Sequence, residues 1–210
     1  MRTAMIWGAS GGIGSALVKH LADGGWTVLS VARDPGAVSY LTSEVVAADL
    51  GEPESVEQAV EQARALVESV DLWIYAAGDI ASVKVEEMSP NDWARILTAN
   101  LSGAYLAAHY SLPLLAGDAH MVFLGAVSER LHLPGLAAYA SAKAGLEAFA
   151  DVLRKEQRGR RVTIVRPKAV DTSLWEKVPF SMPHGAMEPE ELSARILEAY
   201  EEGHKGVLDL

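Results

Sequence analysis

Short apolar, β-branched runs alternate along the chain with longer segments whose apolar residues recur at three- and four-residue steps. The runs fall at 3–7, 27–32, 44–48, 71–76, 120–127, 162–166 and 206–210 and predict strands; the segments between them predict helices. In one of these, Val56, Ala59, Val60, Ala63, Leu66, Val67 and Val70 share a face while Glu57, Glu61, Gln62, Arg64 and Glu68 turn outward. Another opens at Ser89-Pro90-Asn91-Asp92, where Ser89 caps, Pro90 suits the first helical position and Asp92 completes a capping box. It carries Trp93, Ile96, Leu97, Asn100 and Leu101. Further helices are expected over 137–158 and from 189 through Leu192, Ile196, Leu197 and Tyr200. This alternation means βαβ units: one doubly wound α/β domain over 1–210, about seven parallel strands with helices on both faces.

Charge and composition narrow the function classes. With 18 Lys+Arg against 28 Asp+Glu the chain carries a net −10, which argues against a broad nucleic-acid or anionic-membrane footprint, since both need clustered positive charge. The most apolar long stretch, 101–117, is broken by His109 and Pro113, and the N-terminus reaches glycines too soon for a signal peptide, so no membrane partner is expected. The chain has no cysteine; a disulfide scaffold, a thiolate metal site and a Cys nucleophile are excluded, and a reducing, cytoplasmic setting is expected. The histidines at 20, 109, 120, 132, 184 and 204 have no metal-ligand spacing, and no metal is implied.

Candidate chemistry begins directly after the first strand, at Gly8-Ala9-Ser10-Gly11-Gly12-Ile13-Gly14, followed by a helical segment. Glycines at 8, 12 and 14 allow a tight turn and close approach to a diphosphate, which the amide groups and positive end of the next helix would meet. Far along the chain, Tyr139 and Lys143 stand four apart on a predicted helix, about 6 Å along its axis and on one face. On these residues the chain resembles the short-chain dehydrogenase/reductase family, with its Gly-x3-Gly-x-Gly loop and Tyr-x3-Lys pair. The likeness continues, in order, through Asp49-Leu50 as the adenine-contacting pair, Ala76-Ala77-Gly78 as the tail of an Asn-Asn-Ala-Gly strand end, Asn100 as the helix asparagine, and Arg166-Pro167.

The resemblance implies a Rossmann-type fold, a nicotinamide cofactor and a carbonyl or alcohol substrate. It implies cofactor contacts from Gly8, Ser10, Gly11, Gly12, Ile13, Gly14, Arg33, Asp49, Leu50, Ala76, Ala77, Gly78, Tyr139, Lys143 and Pro167. Tyr139 would protonate the carbonyl oxygen, Lys143 would hold the nicotinamide ribose, and Asn100 would support a water chain that resupplies the proton. An ammonium about 4 Å from the phenol is worth ~4 kcal/mol at an effective dielectric of 20, enough to lower the tyrosine pKa by up to ~3 units. Three departures stand out: Trp7 replaces the usual Thr, Tyr75-Ala76 replaces Asn-Asn, and the usual catalytic serine position, 13 before the tyrosine, is Ala126. Ser128 is the nearby hydroxyl, on the same strand face but ~6.6 Å further on if the strand continues; a loop serine is the equally open reading. A lost oxyanion donor costs ~10²–10³ in rate.

At the second strand tip, Ala32 occupies the family's acidic position and Arg33 its basic one, which favours NADP. Asp34, 20 residues past Gly14, keeps NAD open, although Asp34-Pro35-Gly36 also reads as a turn. The segment 171–188, with Trp175, Val178, Phe180, Met182 and Met187, reads either as a lid over an apolar substrate or as a loop packed on the core. Apolar residues Leu106, Ala107, Ala108, Leu146, Phe149 and Leu153 on the 90–117 and 137–158 helices predict a homodimer or homotetramer. The leading expectation is an NADP-dependent oxidoreductase; the alternative is a dinucleotide-binding sensor or assembly protein, with weak or no turnover because of Ala126.

Overall fold

A computed structural model describes residues 2–42, 44–127 and 131–210. Its strands are β1 (Thr3–Trp7), β2 (Thr27–Ala32), β3 (Val45–Ala47), β4 (Val70–Tyr75), β5 (Leu115–Leu124), β6 (Arg161–Arg166) and β7 (Gly206–Asp209). They form one parallel sheet in the order β3-β2-β1-β4-β5-β6-β7. The chain steps outward one way from β1 to β3 and then returns to place β4 on the other side of β1. That switch point opens a crevice at the carboxyl ends of the strands.

The helices are α1 (Gly12–Asp23), α2 (Pro53–Leu66), α3 (Pro90–Leu97), α4 (Gly103–Ser111), α5 (Ala137–Glu156) and α6 (Pro189–Glu201). Alternating strand residues face opposite layers. Ile6, Leu72, Ile74 and Val122 pack with Leu17, Val18 and Leu21 of α1 and Leu192 and Ile196 of α6. Met5, Trp73, Tyr75 and Phe123 pack on the other face with α2, α4 and α5, through Val60, Ala104, Ala108, Leu146 and Leu153. Burial on both faces is why the strands read as near-continuous apolar runs.

Several sequence expectations need correction. The apolar face of α2 is Val56, Ala59, Val60 and Ala63. Leu66 is exposed, Val67 follows the helix, and Val70 already opens β4; the helical period runs on by chance into a strand that is itself apolar. β5 starts at Leu115, ahead of the apolar run, because the strand passes a register irregularity opposite Val70–Leu72. It ends at Leu124 and does not run on through 125–127 as expected, while Ser128 lies outside the described residues. The helix expected from Ser89 widens into a π-turn over Thr98–Ser102, where the N–H of Gly103 bonds the carbonyl of Thr98, before α4 resumes. Ala107, Ala108, Leu146 and Leu153 are buried in the chain's own core, with Leu106 and Phe149 packed against it. The apolar side chains that α3, α4 and α5 leave exposed are Trp93, Tyr105 and Val152. Among the described residues, no helix is long and apolar enough to cross a membrane.

Candidate active site

A cavity of about 930 Å³ lies at the carboxyl ends of the strands. β1 delivers Gly8 to its wall with φ +82°, and a Cβ there would lie 2.4 Å from the backbone nitrogen of Ala77 at the end of β4. Only glycine lets the two loops meet. Ser10, Gly11, Gly12 and Ile13 line the cavity as well. No side chain caps α1 and its first turn holds no acidic residue, so its free amide groups and dipole present a positive end to the cavity. Gly14 is not on the wall: a Cβ there would sit 2.1 Å from the carbonyl oxygen of Gly8, so this glycine seats the helix on the loop.

The wall continues through Arg33 after β2, Asp49 and Leu50 after β3, Ala76, Ala77 and Gly78 after β4, and Pro167 after β6. Tyr139 and Lys143 of α5 and Asn100 of the π-turn complete it, together with Ala126. Asp34 is absent from the wall; its carboxylate accepts the Gly36 N–H at 3.0 Å and caps a short 3-10 turn over Pro35–Ala37. From 171–188, Trp175, Val178 and Phe180 face the cavity, whereas Met182 is exposed and Met187 packs on the core. This segment is pinned at its base by Asp171 and Met187 backbone bonds and by the Trp175 indole donating to the Val170 carbonyl at 2.8 Å. Its Lys177 reaches across to Asp79 at 2.7 Å, and Arg95 pairs with the other Asp79 oxygen.

Sequence reasoning missed Thr172, Asp79, Arg95 and Lys177. Thr172 lies over the glycine loop, 2.9 Å from where a Gly12 Cβ would stand, and lines the cavity. Its position five residues beyond Pro167 placed it in the loop but gave no signal of a contact with α1. Among the described residues, the wall carries Arg33, Arg95, Lys143, Lys168 and Lys177 against Asp49 and Asp79. Positive charge is thus concentrated here in a chain whose net charge is −10.

Burial decides the electrostatics of the tyrosine–lysine pair. Lys143 is 5% exposed, and its ammonium donates to the Leu124 carbonyl at 2.8 Å. It stands 5.6 Å from the centre of the Tyr139 ring. Loss of water pushes Lys143 down to about 8 and Tyr139 up to about 12. This reverses the sequence-based expectation of a lowered tyrosine, because desolvation of both groups outweighs an attraction weakened by that separation. Asn100 is fully buried; its Nδ2 donates to the carbonyls of Asp79 at 2.6 Å and Ile96 at 2.9 Å, and its Oδ1 has no partner. A Cβ built on Gly78 would be 3.1 Å from that oxygen and 3.9 Å from the Lys143 ammonium, so the two polar atoms flank one point on the wall.

Comparison with known proteins agrees with this geometry. The model of the short chain dehydrogenase family matches residues 2–181, and the chain belongs to that family. It is 28% identical over 183 residues to the 3-oxoacyl-acyl-carrier-protein reductase of Escherichia coli, covering 82% of this chain and 75% of that protein. An alcohol dehydrogenase from the archaeon Thermococcus sibiricus, solved with 5-hydroxy-NADP, has the same fold with a TM-score of 0.91 at 24% identity, covering 100% of this chain and 96% of that one. A 3-ketoacyl-acyl-carrier-protein reductase from Brucella melitensis, solved with NADH, gives 0.89 at 24% identity with the same coverage. The chain is therefore an NAD(P)-dependent oxidoreductase of this family. Its cavity fits such a cofactor on its own evidence: an uncapped helix end and a glycine cradle on one side, and an orphaned amide oxygen on the other.

The depressed Lys143 pKa has a consequence for stability. With a folded value near 8 against ~10.4 unfolded, the folded state is penalised below pH 8 and recovers as pH rises from about 8 to about 10, where the unfolded chain holds the extra proton. Lys143→Met keeps the stem and deletes the buried charge. It should raise the melting temperature of the cofactor-free protein at pH 7 by several degrees, reflecting up to ~3 kcal/mol, and flatten stability between pH 8 and 10. A lower melting temperature would show that the bond to Leu124 outweighs desolvation.

Proposed function

We propose that this oxidoreductase moves a hydride between NADP(H) and a carbonyl or alcohol substrate of apolar character, with Tyr139 as acid–base. The observation that carries the reading is that Tyr139, Lys143 and Asn100 share one cavity wall with the glycine loop and Arg33. Arg33 on the wall, with Asp34 turned away into its own cap, supports NADP over NAD; a guanidinium can pair two oxygens of a 2′-phosphate. The first turn of α1 would hold the diphosphate, Asp49 and Leu50 the adenine end, and Lys143 the nicotinamide ribose. When bound, the nicotinamide supplies or accepts the hydride.

In the reducing direction Tyr139 gives its proton to the carbonyl oxygen. Its raised pKa keeps it protonated, as a general acid must be. Lys143 stays largely protonated at neutral pH and supports the negative charge left on the phenolate; Asn100 Oδ1 would hold water that returns the proton. Leu174, Trp175, Val178 and Phe180 make the substrate side apolar. Ala126 offers no hydroxyl at the usual serine position, a loss typically worth ~10²–10³ in rate where nothing replaces it, and favours a second reading in which the chain binds dinucleotide as a sensor or assembly protein with little turnover. Exposed Trp93, Tyr105 and Val152 on neighbouring helices support a homodimer or homotetramer.

Tyr139→Phe should lower turnover of a verified carbonyl substrate by ~10² or more while NADPH affinity stays within about twofold. Ala126→Ser should raise it. Unchanged turnover in Tyr139→Phe would sink the mechanism, and no turnover across a carbonyl panel, even with Ala126→Ser, would leave the sensor. Calorimetric titration should give tighter NADPH than NADH binding, with Arg33→Ala weakening NADPH by ~10-fold or more and NADH little; equal affinities in the native protein would overturn the preference. Light scattering should report a mass at least twice 22.4 kDa; a monomer across the micromolar range would count against assembly.

A further inference from the structure

The hydrogen bond that enters the π-turn from the sheet is not used by any step above. We propose that Tyr75 is a positioning residue for the proton-transfer site: its phenol fixes the peptide that leads into Asn100, and so sets where the Asn100 amide oxygen points. The inference rests on the reading in which Tyr139, Lys143 and Asn100 form the acid–base site.

Tyr75 is the last residue of β4, fully buried, opposite Trp7 and Phe123 in the neighbouring strands. Its hydroxyl donates to the carbonyl of Ala99 at 2.8 Å. That carbonyl belongs to the Ala99–Asn100 peptide, which is planar, so holding its oxygen holds the amide nitrogen of Asn100 and the start of its side chain. Burial raises the Tyr75 pKa well above its usual value, which keeps the group a permanent donor. The helix side is built to receive it. A Cβ on Gly103 would lie 2.8 Å from the Tyr75 oxygen and 2.8 Å from the Thr98 carbonyl, so glycine leaves the opening through which the phenol reaches the turn.

From there the geometry runs to the reacting groups. Both hydrogens of the Asn100 amide are committed, to the carbonyls of Asp79 and Ile96. The reverse amide orientation would set oxygen against two carbonyl oxygens, so Oδ1 is the atom left facing Gly78 and the Lys143 ammonium. π-turns inside helices recur at functional sites because they re-aim one side chain. Here the re-aimed side chain is Asn100, and the brace comes from Tyr75, at a position where this chain departs from the Asn-Asn pair of its family. The departure at Tyr75 and the widened turn are two halves of one arrangement.

The test is a double-mutant cycle of Tyr75→Phe and Asn100→Ala in the full chain, with Tyr139→Phe alongside. Tyr75→Phe removes one oxygen and keeps the ring against Trp73 and Phe123. It should lower kcat of the NADPH-linked reduction roughly 3–10-fold with KM for NADPH within about twofold, and speed amide hydrogen exchange over 98–104 in the cofactor-free protein. In the Asn100→Ala background the same change should alter kcat by less than about twofold while still lowering the melting temperature, because its kinetic route is gone and its structural one is not. Equal losses of kcat in both backgrounds, no loss in the native background, or no effect of Asn100→Ala itself would overturn the proposal. If Tyr139→Phe leaves turnover intact, the acid–base reading falls first; if it abolishes turnover and the cycle shows no coupling, only the role of Tyr75 falls.

Discussion

The whole site depends on a close approach of two backbones at the switch point. Gly8 leaves β1 with φ +82°, and its missing side chain admits Ala77 of the β4 loop to a distance no Cβ would permit. Gly14 then lets the first turn of α1 settle on the Gly8 carbonyl. These contacts bring the end of one strand, the loop of its neighbour and the positive end of a helix to one place. The geometry proposed to hold the cofactor's diphosphate follows from steric permission rather than from an attractive side chain.

Around that floor, rigid elements carry the polar groups. Tyr139 and Lys143 come from one face of α5, and Asn100 from a helix interrupted for one turn. Asn100 and Lys143 are buried and Tyr139 is half-buried, and the low dielectric that costs the Lys143 ammonium its ordinary pKa also makes it act strongly on any charge formed nearby. Stability is given up at the site and held elsewhere, in two apolar layers that cover both faces of the sheet.

The strands were legible because strands buried on both faces leave apolar runs with few alternatives, and all seven fall within a few residues of their expected places. Boundaries failed where periodicity continued through a change of structure, as from Val60 to Val70, or where glycine and aspartate interrupted the apolar run, as Gly117 and Asp118 do near the start of β5. The glycine loop, Arg33, Asn100, Tyr139 and Lys143 could be named because they recur at fixed spacings in a known family, and the cavity brings them together. Gly14 lies off the cavity wall, and spacing alone does not distinguish a glycine that packs a helix from one that lines a cavity. Asp79, Arg95 and Lys177 carried no signal: their pairing spans as many as 98 positions and exists only once the loop after β6 has crossed the crevice. The pKa of Tyr139 could not be read either, since it depends on how much water the fold leaves at the phenol.

The strand order has a temporal side. β1 pairs with β2 locally, but the other wall of the crevice waits for β4, and the roof waits for residues 172–183, more than 150 positions after the glycine loop. A chain emerging from the ribosome thus displays its glycine loop long before it owns a cavity. Contacts of such sequence range make the last closures the slowest. A nascent or truncated chain short of β6 offers a dinucleotide only half a binding site, so a ligand that stabilises the finished fold by mass action gives the unfinished one little protection.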